Sequence, residues 1–299
     1  MTTETRTYGI APPGYRLPGA TRVGTVRLQV ADLARSLAYY QHVLGLRVLG
    51  RADGEAALET DEGREPLIEL RERPGVAPVP RRGRLGLYHF AILLPDRAQL
   101  GRFVRHLSEV GERAGMSDHL VSEAIYLSDP DGLGIEVYAD RPQSAWRQQD
   151  GELMMATDSL DVPDLLRAAG SERWSGMPGG SRMGHVHLFV GDLERAAAFY
   201  HAGLGLDKVV WSYPGALFLS AGGYHHHVGT NTWAAGAAPA GPGDARLLEW
   251  ELVVPSSADA AGALASLQAG GADIQRSAGG GLARDPWGTA VHIRPAGGR

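Results

Sequence analysis

The sequence predicts an α+β protein built from four strand-helix-strands units, and two observations carry the prediction: a duplication at an offset of 160 residues and a second repeat that follows each copy. In the duplication Gly24, Val26, Leu28, Val30, Asp32 and Leu33 align with Gly184, Val186, Leu188, Val190, Asp192 and Leu193. Arg35, Ala38, Tyr40, Leu44, Gly45 and Leu46 likewise align with Arg195, Ala198, Tyr200, Leu204, Gly205 and Leu206. Twelve identities in 23 positions exceed chance, so each copy is a structural unit. Each reads as an alternating strand (TVRLQV, HVHLFV), an Asp-Leu helix start, an amphipathic helix with a Tyr near its end, and Gly-Leu leading into another strand. Asp32 and Asp192 stand where an N-cap carboxylate accepts the first free backbone N–H groups.

Downstream of each copy a second type of unit follows. GLYHFAILLP, a helix over 97–110 and IYLSDPDGLGIEVY are answered by LLEWELVVP, a helix over 258–269 and LARDPWGTAVHI. The DP-x-G elements are tight turns joining two strands. The chain therefore divides into residues 21–140 (modules one and two) and 182–296 (modules three and four). Between them, residues 141–181 form a polar linker rich in Gly and Pro, with one short helix near 163–169.

Bulk properties narrow the function. With 299 residues, 43% of them hydrophobic, the chain fills two domain-sized cores. Its net charge of -5 is spread over interspersed acids and bases with no basic stripe, so nucleic acid is not an expected partner. The absence of cysteine leaves His, Asp and Glu as metal donors. The first twenty residues lack an apolar signal core, and no run of about 18 apolar residues occurs. A cytoplasmic protein without a membrane partner is the expectation.

Four βαβββ modules of this kind resemble the vicinal-oxygen-chelate superfamily, which includes glyoxalase I, fosfomycin- and bleomycin-resistance proteins and type I extradiol dioxygenases. DLxRSLxYYxxVLGL and DLxRAxxFYxxxLGL carry only the superfamily resemblance. GLYHFAILLPDR, SDHLVSEAIYLSDPDGLGIEVYADRP and ALFLSAGGYHHHVGTNTW are more specific and resemble the two-domain bacterial catechol-2,3-dioxygenase family. The resemblance runs from about Val23 over nearly the whole chain. It implies the vicinal-oxygen-chelate fold: two cupped-sheet domains, with modules closing in pairs around one metal or ligand.

In the extradiol enzymes one module gives a His from its first strand, and its partner gives a His from its first strand and a Glu from its last. The positions that match are His89 in LYHFAI, Glu136 in DPDGLGIE and His185 in MGHVHL. Two imidazoles and one carboxylate on one face of an octahedral iron(II) leave three adjacent positions for a diol and dioxygen. The implied cofactor is Fe(2+), with Mn(2+) as the alternative. Glu136 sits in the apolar stretch IEVY, where an unpaired carboxylate is costly and a cation is its natural partner. His187 competes with His185, because both face one side of the strand. Alignment with Thr25 favours His185. The equivalent positions elsewhere are Thr25, Glu249 and His292, a degenerate copy. Were modules three and four to close together, His185, Glu249 and His292 would form a rival set. The family's order favours the first set, with modules two and three in one cup and one pairing with four.

Ring opening also needs a base and an acid, and His is suited because it titrates near neutrality. The run Tyr224-His225-His226-His227 reads as a late strand of module three, on which the resemblance puts His226 at the acid-base position, with His227 as fallback. His119 and Tyr126 resemble the substrate-side His and Tyr of the extradiol enzymes, although the His119 spacing departs by about two residues from the better-studied branch. Trp233 and Tyr213 are candidates to line the ring pocket, and loops near 51–65 and 230–243 to select ring substituents. The expected activity is iron(II)-dependent extradiol cleavage of a catechol or related vicinal aromatic diol with O2, by a homo-oligomer. Two other classes remain: a non-redox metal-dependent isomerase or lyase of the same superfamily, and a metal-free aromatic-ligand-binding resistance protein.

Overall fold

Apolar alternation, broken by Gly, Pro and Asp, produces four βαβββ modules in the computed structural model, which describes residues 8–60 and 65–297. Positions 61–64, part of one expected substituent-selecting loop, lie outside the described residues. Module one comprises β1 (Arg22–Val30), α1 (Leu33–His42), β2 (Arg47–Ala52), β3 (Glu55–Glu59) and β4 (Ile68–Glu72). Module two comprises β5 (Gly86–Leu93), α2 (Arg97–Val110), β6 (Gly115–Asp118), β7 (Ser122–Ser128) and β8 (Gly134–Asp140). The connection carries a small hairpin, β9 (Gln148–Gln149) and β10 (Glu152–Leu153), and then α3 (Val162–Ala168). Module three comprises β11 (Arg182–Phe189), α4 (Leu193–Ala197), β12 (Asp207–Val210), β13 (Ala216–Ser220) and β14 (Val228–Asn231). Module four comprises β15 (Arg246–Val254), α5 (Ser257–Ala269), β16 (Ile274–Ser277), β17 (Gly280–Arg284) and β18 (Ala290–Pro295).

The helices start where short polar side chains catch their free N–H groups. Asp32 and Asp192 accept from the backbone of Arg35 and Arg195 at 2.9 and 2.7 Å. The module-three helix is less regular than its sequence pattern suggests. After α4 it relaxes into a π-helical turn, Ala198–Gly203, which carries Tyr200. Among the described residues no helix is long and apolar enough to cross a membrane.

Two eight-stranded sheets result, in the orders β16-β17-β18-β15-β1-β4-β3-β2 and β12-β13-β14-β11-β5-β8-β7-β6. Module one thus shares a sheet with module four, and module two with module three. Each contiguous stretch, 21–140 and 182–296, sends one module into each sheet. The seams between modules are the antiparallel pairs β1/β15 and β5/β11. One apolar cluster joins all four modules, with Leu28, Phe90, Leu188 and Trp250 among its buried members. Burying such side chains contributes about 1.5–3 kcal/mol each, enough to hold the backs of the two sheets together.

A second tie runs across the sheet pairing. In each DP-x-G turn the Asp carboxylate accepts from the backbone two and four residues on, at Asp131 and Leu133 for Asp129 and at Trp287 and Thr289 for Asp285. The repeated tyrosines complete these turns: Tyr40 donates to Asp129 at 3.2 Å and Tyr200 to Asp285 at 3.0 Å. Sheets therefore join modules one to four and two to three, while the Tyr–Asp bonds join one to two and three to four.

The connection is more than a spacer. Asp118 and Asp158 exchange two backbone hydrogen bonds of 2.9 Å, and Arg97 on α2 pairs with Asp164 on α3 at 2.7 Å. The helices touch at Gly101, where a Cβ would lie 2.4 Å from the Leu165 carbonyl oxygen.

Burial pushes the Asp129 carboxyl up to about 6. The folded state then holds this proton more tightly than the unfolded chain, so ionisation costs stability as pH rises from about 4 through about 6. Asp129→Asn keeps a carbonyl acceptor but cannot ionise. Its stability relative to the parent protein should rise by up to about 3 kcal/mol between pH 4 and pH 7. Urea unfolding of both proteins across that range checks this; a constant difference would refute it.

Candidate metal centre

The seam between modules two and three assembles the site. His89 lies on β5, Glu136 on β8 and His185 on β11. Parallel pairing sets Ala91 beside Glu136, and antiparallel pairing sets His185 opposite that same Ala91, after a bulge between Met183 and His185. All three side chains are buried. Close backbone approach is needed here: a Cβ at Gly184 would lie 1.9 Å from the Tyr138 hydroxyl, and one at Gly134 would lie 2.0 Å from the Tyr88 carbonyl oxygen.

Glu136 Oε2 stands 2.9 Å from His89 Nε2 and 3.2 Å from His185 Nε2, and the three donor atoms lie within 4.8 Å of one another. Among the described residues this is the one group of His and acidic side chains with such spacing and burial. Burial alone would raise the Glu136 carboxyl, but the His185 and His89 rings hold it well below the carboxylate range. Burial also pushes His185 down to about 4. At neutral pH the carboxylate is ionised while His185 is neutral, which leaves a buried negative charge short of a cation. Both nitrogens of His89 lack an aligned hydrogen bond among the described residues.

These features fit a divalent metal. Donors bound at about 2.0–2.2 Å on adjacent positions of an ion stand about 3 Å apart, as the two His–Glu distances do. Deprotonated ligands are also what metal binding requires.

A cavity of about 460 Å³ has His89 and Glu136 in its lining, with His185 behind them. Tyr126 enters it from β7, directly opposite Glu136 in register. Its hydroxyl bonds to His119 Nε2, and His119 Nδ1 meets the Ala156 carbonyl at 2.6 Å. His226 lines the cavity with its ring centroid 4.0 Å from that of His185. His227 turns away instead, with Nδ1 3.2 Å from both the Ser220 hydroxyl and the Ala221 amide. The histidine run departs from the strand expected for it: it occupies the turn between β13 and β14, which lets consecutive rings take unrelated directions. Tyr213 and Trp233 both line the cavity, and the Tyr213 hydroxyl bonds to Thr157 at 2.7 Å.

The degenerate copy does not assemble a donor set. Thr25 gives its hydroxyl to the Pro66 carbonyl, and Glu249 is taken by Arg27. Several wall residues escaped the sequence reading. His187, weighed there only as a rival ligand, faces the cavity while its Nε2 bonds to the Asn231 amide at 3.0 Å. Its spacing of two from His185 was the available signal. Met155, Ala156 and Thr157 reach the cavity from the connection, and no sequence pattern marks them.

Two cups of paired βαβββ modules, one centred on a buried two-histidine, one-carboxylate set, define a protein of the vicinal-oxygen-chelate class. The chain belongs to the Glyoxalase/Bleomycin resistance protein/Dioxygenase superfamily, whose model matches residues 22–137 and 182–293. It is 48% identical over 237 residues to the catechol-2,3-dioxygenase of Bacillus subtilis (strain 168), covering 78% of this chain and 82% of that one. This kinship puts it among the dioxygenases of the superfamily. Its fold is shared by a putative dioxygenase of Bacillus subtilis (TM-score 0.65, 15% identity, 95% of this chain and 87% of that one). Glyoxalase I of Zea mays shares it too, at a TM-score of 0.53, 20% identity and 92% coverage of each chain.

The donor geometry predicts one divalent ion per chain by elemental analysis. Glu136→Ala should weaken its binding by more than about 100-fold, a larger loss than removing a group that only orients a donor causes. Glu249→Ala should leave it unchanged. The reverse pattern would move the metal to the other cup.

Proposed function

We propose that the protein is an iron(II)-dependent extradiol dioxygenase that opens the ring of a catechol or related vicinal aromatic diol. The observation that carries this reading is the cavity itself: His89 and Glu136 of the donor set line it together with His226 and the Tyr126–His119 pair. His89, Glu136 and His185 would hold iron(II), with Mn(2+) as the alternative ion, and the bound ion would supply the redox coupling between diol and dioxygen.

The chain's own residues then orient the diol and move its protons. Glu136 contributes one negative charge, so a diol that has lost one proton balances a 2+ ion without a buried surplus. His226 is the base. His225 Nε2 lies 2.9 Å from the Asp140 carboxylate, which accepts only, so that nitrogen carries the proton. His225 Nδ1 is thereby an acceptor for His226 Nδ1–H at 2.7 Å. That leaves His226 Nε2 with a free lone pair. Burial, reinforced by His185 and His225, holds His226 well below its usual pKa, so it is neutral and able to take a diol proton and return it as the ring opens.

On the opposite side the Ala156 carbonyl accepts from His119 Nδ1, so Tyr126 donates to His119 Nε2 and turns its oxygen lone pairs to the diol. Burial keeps the Tyr126 hydroxyl protonated. Tyr88, Phe218 and Trp233 give the ring apolar walls.

Anaerobic reconstitution with Fe(II), followed by oxygen-electrode assay with catechol, tests the reading. One O2 should be consumed per catechol, and turnover without oxygen would favour an isomerase or lyase. His226→Ala should keep its iron while turnover falls by about 10²–10⁴-fold. Loss of iron from that variant would make His226 a ligand rather than a base.

A further inference from the structure

The second cup, between modules one and four, keeps a cavity of about 680 Å³. It corresponds to the cavity over the metal centre: Arg27, Leu248 and Glu249 in its lining stand at the duplication-related positions of His187, Tyr88 and His89. Its chemistry is different. Five arginines and three glutamates line it, a cationic excess in a chain of net charge -5.

At the base the charges cancel. Arg27 pairs with Glu69 and Glu249, and Arg71 pairs with Glu55 at 3.3 Å. Arg51, Arg246 and Arg284 have no acidic side chain of the cavity left to them. Arg246 Nε is buried with no hydrogen-bond partner among the described residues. Burial, with Arg284 and Arg73 close by and only partly offset by Asp244, holds its guanidinium below the usual range. Arg284 spends one N–H on the Gly288 carbonyl at 3.1 Å. Arg51 lies exposed on the edge strand β2. Beside these cations the wall offers Ala57 and Leu248, while Ala56 and Leu70 turn their side chains into the core.

A buried donor without a partner costs stability, and an anion at Arg246 would satisfy its Nε–H while facing the exposed guanidinium groups of Arg51 and Arg284. Guanidinium groups present planar forks that match a carboxylate. We propose that this cup is a second ligand site, for a small organic carboxylate whose head engages Arg246, Arg284 and Arg51 and whose flat apolar body lies on Ala57 and Leu248. Inorganic phosphate shares the charge but has no apolar body, so the site should prefer an aromatic carboxylate to it.

Isothermal titration of the full-length protein with benzoate, and separately with inorganic phosphate, tests this. Saturable benzoate binding is expected that weakens as salt is raised and exceeds the binding of phosphate. Arg246→Ala should weaken it by at least about 10-fold, the scale of one charge-assisted hydrogen bond. Arg51→Ala, on an exposed edge strand where folding is not at stake, should weaken it too. Glu136→Ala and His226→Ala should leave that binding intact. Absence of saturable binding, tighter binding of phosphate, or loss through Glu136→Ala or His226→Ala rather than the arginine variants would overturn the proposal. Because binding rather than turnover is read, none of these outcomes bears on the dioxygenase reading.

Discussion

A carboxylate buried in an apolar strand governs this protein. Glu136 sits between β5 and β7 with its carboxyl held well below the usual range, while burial pushes the neighbouring His185 down to about 4. An uncompensated buried charge costs several kcal/mol. The chain accepts that cost only where two histidines converge on the same oxygen, and they converge only because module three adds its first strand to the first strand of module two. Site and sheet pairing are thus one constraint. Strand order, the bulge ahead of His185 and the glycine at 184 all serve to bring a nitrogen from one module within reach of an oxygen from the other.

The other cup shows the alternative solution to the same problem. Glu251, at the position related to Ala91, is as deeply buried as Glu136, but Arg294 reaches it at 2.9 Å from the neighbouring strand. Arg27, related to His187, binds Glu69 and Glu249. Fixed guanidinium groups supply the cation that a metal would otherwise supply. An Arg cannot be deprotonated and offers no open coordination position, so this cup is closed to metal chemistry while its cavity persists. Duplication gave two equivalent frames, and the identity of the buried cation separated their uses.

Much of this was legible in the sequence because it is local or periodic. The repeat at 160 residues, the Asp caps at 32 and 192 and the DP-x-G turns depend on nearby residues, and the order of His and Glu in the modules pointed to the pairing of two with three. Other features depend on which strand lies opposite which, and strand periodicity is silent about that. The histidine run reads as a late strand of module three, yet Gly222 and Gly223, both at positive φ, turn the chain just before it. The partnership of His225 with Asp140 spans 85 residues and two modules. The connection showed only polarity, Gly and Pro, so nothing distinguished Met155–Thr157 from the rest of it.

That connection matters because the two sides of the cavity are oriented by groups outside the donor set. On one side Asp140 fixes His225, which fixes the tautomer of His226. On the other, the Ala156 carbonyl fixes His119, which fixes the hydroxyl of Tyr126. Ala156 is held by the backbone pairing of Asp118 with Asp158 and, further along, by the pinning of α3 to α2 at Gly101 and Arg97. On the proposed reading, a base with a free lone pair and a tyrosine with its lone pairs inward must coexist for a diol to be deprotonated and held in one orientation. Neither arrangement is set by the three donors alone. On that reading the segment between the two halves belongs to the site as fully as the strands that carry the donors, since the Ala156 carbonyl sets the direction of the Tyr126 hydroxyl.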